Sequence, residues 1–75
     1  MGEKQFKVNA IDLACPMPLL KLKQALNQIE IGEEVYLVAT DPTSKRDFFS
    51  YINMTNHQIK LKEMNNEFHY FVTKG

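Results

Sequence analysis

The feature that most restricts this chain is the period of its apolar residues, which switches repeatedly between alternation and helical spacing within 75 residues. Phe6, Val8 and Ala10 alternate with Lys7 and Asn9 as in a half-buried strand, until Pro16 and Pro18 interrupt the pattern. From Leu19 the spacing turns helical. Leu19, Leu22, Ala25, Leu26 and Ile29 share one face, Lys21, Lys23, Gln24, Asn27 and Gln28 fall elsewhere, and Gly32 is expected to end the helix. Residues 35–39 read as a nearly continuous apolar strand. Asp41 and Pro42 then signal a helix start, with Ser44 and Asp47 spaced as a weak capping box. Phe48, Tyr51, Ile52 and Thr55 recur at helical spacing, and Asn56 is the expected left-handed stop. Two last strands, 57–64 and 67–73, flank Asn65-Asn66, a pair that suits a primed two-residue turn.

The order is therefore βαβαββ. The first crossover should be parallel and right-handed and the final pair antiparallel, so the sheet is mixed. The most apolar strands, 35–39 and 68–72, belong in its middle, while Lys7, Lys60 and Lys62 mark the first and third strands as edges. So short a chain cannot cover both sheet faces. Both helices are expected on one side, giving an α+β two-layer sandwich in a single domain spanning residues 1–75.

Size and charge exclude several functions. A chain of this length buries about 60% of its unfolded surface, enough for one small core and not for an enclosed cofactor cavity. Nine Lys and Arg balance nine Asp and Glu, so no global basic field favours nucleic acid. The longest apolar runs are far below the span of about 20 residues that a membrane helix needs, so the protein reads as soluble. One cysteine cannot make an internal disulfide, and the N-terminus lacks a signal-peptide pattern, so a cytoplasmic setting is expected. Gly2 invites myristoylation, but Phe6 stands where Ser or Thr is required.

Unusual choices coincide in the segment Asp12-Leu13-Ala14-Cys15-Pro16-Met17-Pro18. With Cys15 at or beside the cap, Pro16 is expected at the first helical position, and the thiol then faces the positive end of the helix dipole, which favours thiolate. Pro16 and Pro18 each remove a backbone donor, and Asp12 opposes ionisation, so a moderately activated, exposed nucleophile is expected. The alternative is a small hydrophobe at a strand-to-helix junction. Met17 and Leu20 point away from the apolar stripe beside Cys15, with Lys21 one turn after Met17, which makes a docking surface for protein or RNA. Isolated exposed apolar residues are also ordinary.

Other signals are weaker. His57 and His69 have no partner at metal-ligand spacing, so no metal is expected. The absence of Cys-x-x-Cys excludes dithiol chemistry by this chain alone. Asn53-Met54-Thr55 is a chance glycosylation sequon. Asp41 and Asp47 are accounted for as caps and dipole partners of the second helix rather than as acid or base groups.

Cys15-Pro16-Met17-Pro18 resembles the Cys-Pro-x-Pro motif of the TusA-like (SirA-like) sulfur carriers. The resemblance covers nearly the whole chain, through Gly32-Glu33-Glu34, Ala39-Thr40-Asp41-Pro42, Ser44-Lys45-Arg46-Asp47, Thr55-Asn56-His57 and the terminal strand. It implies a βαβαββ sandwich of sheet order 1-2-4-3, in agreement with the edge and central strands above. It also implies that Cys15, supported by Pro16 and Pro18, accepts sulfur as a persulfide from a cysteine desulfurase or other donor. The sulfur would pass to a downstream acceptor docked over Met17, Leu20 and Lys21, for tRNA thiolation or cofactor synthesis. No cofactor, no direct nucleic-acid contact, no membrane and a monomer are expected. Many members carry Asp and Gly where this chain has Asn9 and Asp12, so the loop conformation cannot be carried over from the family. The rival readings are an RNA-binding or regulatory module, and a redox or selenium-handling thiol protein.

Overall fold

A computed structural model describes residues 5–75. The N-terminal residues 1–4, including Gly2, lie outside the described residues. The elements run β1 (Gln5–Ala10), α1 (Met17–Leu26), β2 (Glu34–Ala39), α2 (Thr43–Asn53), β3 (Gln58–Met64) and β4 (Glu67–Thr73). The four strands form one sheet in the order β1-β2-β4-β3. β1 pairs parallel with β2, and β4 pairs antiparallel with both β2 and β3. The apolar strands are central and the lysine-bearing ones are edges, as the polarity of the sequence predicts.

Alternation decides which residues meet the helices. Ala10, Val35, Leu37, Ala39, Tyr70 and Val72 point into the core, where they meet Leu22, Ala25, Leu26 and Ile29 from α1 and its exit, and Phe48 and Ile52 from α2. Each fully buried large side chain, such as Leu22 or Leu37, contributes about 1.5–3 kcal/mol of burial free energy. Phe48 and Tyr70 meet with ring centroids 4.3 Å apart. The other sheet face carries Lys7, Tyr36, Phe71 and Lys60 side by side in register. His69 lies on that face with both ring nitrogens engaged, Nδ1 with the Tyr36 hydroxyl at 2.7 Å and Nε2 with Glu67 at 3.2 Å. It is a satisfied histidine. Among the described residues, no group of three His, Cys, Asp or Glu is arranged to hold a metal, and no helix is long and apolar enough to cross a membrane.

Three local expectations are corrected. α1 ends at Leu26 with Asn27 as its C-cap, several residues before Gly32. Gly32 instead has φ of 94° in the turn before β2, where its N–H donates to the Lys74 carbonyl at 2.8 Å. α2 stops at Asn53 with Met54 as its C-cap, so Asn56 is not a left-handed stop. The capping box does not form: Pro42 holds the N-cap, and the Ser44 hydroxyl is buried against the Tyr70 hydroxyl at 2.8 Å. The Asn65-Asn66 turn is as expected, with φ of 52° and 64°.

Candidate functional site

Because β1 and β2 run parallel in register, Ala10 beside Ala39, their C-terminal ends open at the same end of the sheet. The connections that follow, 11–16 and 40–42, are therefore neighbours, and so are the starts of α1 and α2. Hydrogen bonds join them. The Asp12 N–H donates to Thr40 Oγ1 at 2.9 Å, and the Cys15 N–H donates to Asp41 Oδ2 at 2.7 Å. Asp12 has φ of 64°, a left-handed conformation that Asp tolerates better than most residues. The loop thus turns at this position without a glycine.

Asp41 acts in both connections. Its Oδ1 accepts the Thr43 N–H at 3.0 Å while Oδ2 holds the Cys15 backbone. The Thr43 backbone N–H, then the Cys15 backbone N–H, then the Thr43 hydroxyl hold its carboxyl below the ordinary carboxylate range.

Cys15 is exposed. Pro16, joined to it by a cis peptide, is the N-cap of α1, so Met17 rather than Pro16 is the first helical residue and Pro18 the second. The surroundings of the sulfur run against the moderate activation expected of it. Neither proline has an N–H to offer, and the Met17 N–H is taken by the Ala14 carbonyl at 2.9 Å. The thiol turns instead towards α2 and donates to Asp47 Oδ2 at 2.8 Å. That hydrogen bond is the main cause that raises the Cys15 pKa above its ordinary value. Desolvation and the charges of Asp47 and Asp41 add to it, and a hydrogen bond with the Thr43 hydroxyl opposes it. The carboxylates that oppose ionisation are thus Asp47 and Asp41, not Asp12. The thiol is accessible, and the carboxylates beside it favour its protonated form.

Met17 and Leu20 are each 44% exposed, as their helical phase predicts. Lys21 is half-buried and lines a shallow groove between α1 and the β1 edge with Phe6, Lys7 and Gln24. Pro18 is buried, so the motif's second proline packs into the protein while the first is exposed. Asp47, Thr43 and Asp41 complete the surroundings of the thiol, and the sequence reading did not place them there. The only signal was indirect: two acidic residues flank the start of the second helix, on the connection that a parallel crossover brings beside the first.

The fold and this site define a small two-layer α/β protein that presents one unpaired thiol at a strand-to-helix junction, backed by carboxylates. The sequence profile of the family described as Sulfurtransferase TusA matches residues 6–74, and the chain belongs to that family. Sulfur carrier protein TusA of Allochromatium vinosum is 32% identical to it over the whole of both chains. A SirA-like protein from Desulfitobacterium hafniense shares the fold, with a TM-score of 0.84 at 21% identity, covering 93% of this chain and 97% of that one.

Proposed function

We propose that this protein is a sulfur carrier in a persulfide relay, with Cys15 as the sulfur-bearing residue. The observation that carries the reading is the placement of the chain's single thiol, exposed at the shared end of two parallel strands within a chain of the TusA family. The donor is a cysteine desulfurase or another persulfide-bearing protein. The Cys15 sulfur attacks the outer sulfur of the donor persulfide, the donor's S–S bond breaks as the Cys15–S bond forms, and the donor leaves as a thiol. One thiol and one persulfide enter and one of each leaves, so no oxidant or reductant is consumed. An acceptor thiol then repeats the step on Cys15.

Exposure suits this chemistry, because donor and acceptor must reach the same sulfur in turn. Pro16 and Pro18 shape the approach, and Met17, Leu20 and Lys21 provide the adjoining surface for both partners. The whole chain acts as one domain, a cytoplasmic monomer whose partners are proteins and which makes no direct nucleic-acid contact. The sulfur it hands on serves tRNA thiolation or cofactor synthesis.

The test is to incubate the protein with a cysteine desulfurase and free cysteine and measure intact mass under non-reducing conditions. Wild type is expected to gain one sulfur and Cys15→Ala none. No gain in wild type, or an equal gain in Cys15→Ala, refutes the reading.

A further inference from the structure

We propose that Asp47 is the proton carrier of the sulfur transfer: it takes the Cys15 thiol proton as the sulfur attacks, and delivers it to the donor thiolate that leaves. The inference rests on the carrier reading above and concerns how the same site performs the step. Its basis is the geometry around the sulfur. Asp47 Oδ2 lies 2.8 Å from Cys15 Sγ, within the reach required of a general base, and the bond to the thiol already exists in the free protein. The Asp47 side chain is 22% exposed, so a donor docked over Cys15 can reach the same carboxylate.

The rest of the surroundings leave this residue the task. A thiolate, not a thiol, is the nucleophile. Most activated thiols meet that need with backbone N–H groups or a cation beside the sulfur. Here Pro16 and Pro18 have no N–H, the Met17 N–H is engaged by Ala14, and among the described residues no backbone N–H donates to Cys15 Sγ, whose hydrogen bond goes to Asp47. From the start of α2 the sulfur faces the Asp41 carboxylate and the Thr43 hydroxyl as well as Asp47. Arg46 approaches the other oxygen of the carboxylate, its Nε 3.8 Å from Asp47 Oδ1. From the sheet, Tyr70 is buried behind α2, where it senses Asp41, Asp47 and Glu63. The thiol form is the one that donates to Asp47, and its proton leaves as the new S–S bond forms. The group already bonded to that proton is Asp47. The proton ends on the departing donor sulfur, so the carboxylate is restored at each transfer and the atoms balance without a co-reactant.

Proton carriage makes a prediction of opposite signs that a structural role does not. In Asp47→Asn, the carboxylate that suppresses ionisation is gone, so alkylation of free Cys15 by iodoacetamide at pH 7 speeds up and its pH midpoint falls. Loading from a persulfide-charged desulfurase in a single turnover slows, by on the order of 10²-fold if Asp47 supplies a typical general-base contribution. Asp47→Glu keeps a carboxylate on the same helix and restores part of the loading. Circular dichroism confirms the fold of each variant. The wild type supplies a check that needs no variant: between pH 6 and about pH 8, alkylation climbs steeply with pH while loading climbs less. Loading in Asp47→Asn that matches or exceeds wild type overturns the inference, and so do equal pH slopes in wild type. Absence of any sulfur gain by wild type is a different outcome, which removes the carrier reading itself and this inference with it.

Discussion

The hydrogen bond between Ser44 and Tyr70 holds α2 against the sheet, and its worth can be worked out from burial. Ser44 is 2% and Tyr70 0% exposed, their hydroxyl oxygens lie 2.8 Å apart, and no buried side-chain N or O among the described residues lacks a partner. Ser44→Ala removes one oxygen and strands the Tyr70 hydroxyl away from water. The cost is that of an unsatisfied buried polar group, about 1–3 kcal/mol. Tyr70→Phe strands Ser44 in the same way while keeping the ring against Phe48. The double variant removes both hydroxyls and leaves apolar groups of nearly the same shape, so it should cost less than the sum of the two singles and approach neutrality. A loss of 2 kcal/mol is a large part of the total of about 4–11 kcal/mol expected for a domain of this size. It should lower Tm by about 8–16 °C. Urea denaturation of the four proteins, with m unchanged, measures the cycle. If the double variant loses the sum of the singles, the two hydroxyls are independent and the account of how α2 is held is wrong.

At Asp12 the left-handed backbone makes shape decisive: Asp12→Gly should leave thermal stability nearly unchanged, whereas Asp12→Val, β-branched at φ of 64°, should cost about 1–3 kcal/mol by thermal denaturation. At Asp41 the sign follows from its lowered pKa, caused first by the Thr43 backbone N–H and then by that of Cys15. A folded value below the unfolded one means that the stability it contributes is complete above the ordinary Asp pKa of about 3.9 and disappears as pH falls through the folded value. Asp41→Asn should therefore flatten the acid limb of the stability curve, measured by urea denaturation from neutral pH downwards, and an unchanged limb would refute the assignment.

The sheet was legible in the sequence because each strand declares its burial. Residues 35–39 and 68–72 are apolar enough to need neighbours on both edges, and Lys7, Lys60 and Lys62 are costly anywhere but on edges or an open face. Asn65-Asn66 announced its turn because few residues tolerate positive φ twice in succession. Helix ends were less legible. Gly32 looks like a C-cap, but the turn that follows Leu26 is built from residues 27–31, and the glycine serves the entry to β2. Ser44 reads equally well as a cap and as a buried hydroxyl, and only the position of Tyr70, 26 residues later, decides between them.

The cysteine shows where local reading fails. Residues within a few positions of Cys15 suggested a thiol moderately activated by its helix, yet its hydrogen-bond partner is Asp47, 32 residues away on another helix. Their encounter follows from the parallel pairing of β1 and β2, which sets both helix starts at one end of the sheet. Once that topology is granted, the acidic side of the site follows, because Asp41 must answer the first turn of α2 and Asp47 is one turn further along. The solitary cysteine also takes on a chemical meaning. A second cysteine nearby would discharge a persulfide as a disulfide, and a thiolate exposed at rest would be open to oxidants between partners. In a carrier of the kind proposed, a single thiol hydrogen-bonded to a carboxylate limits both losses between partners.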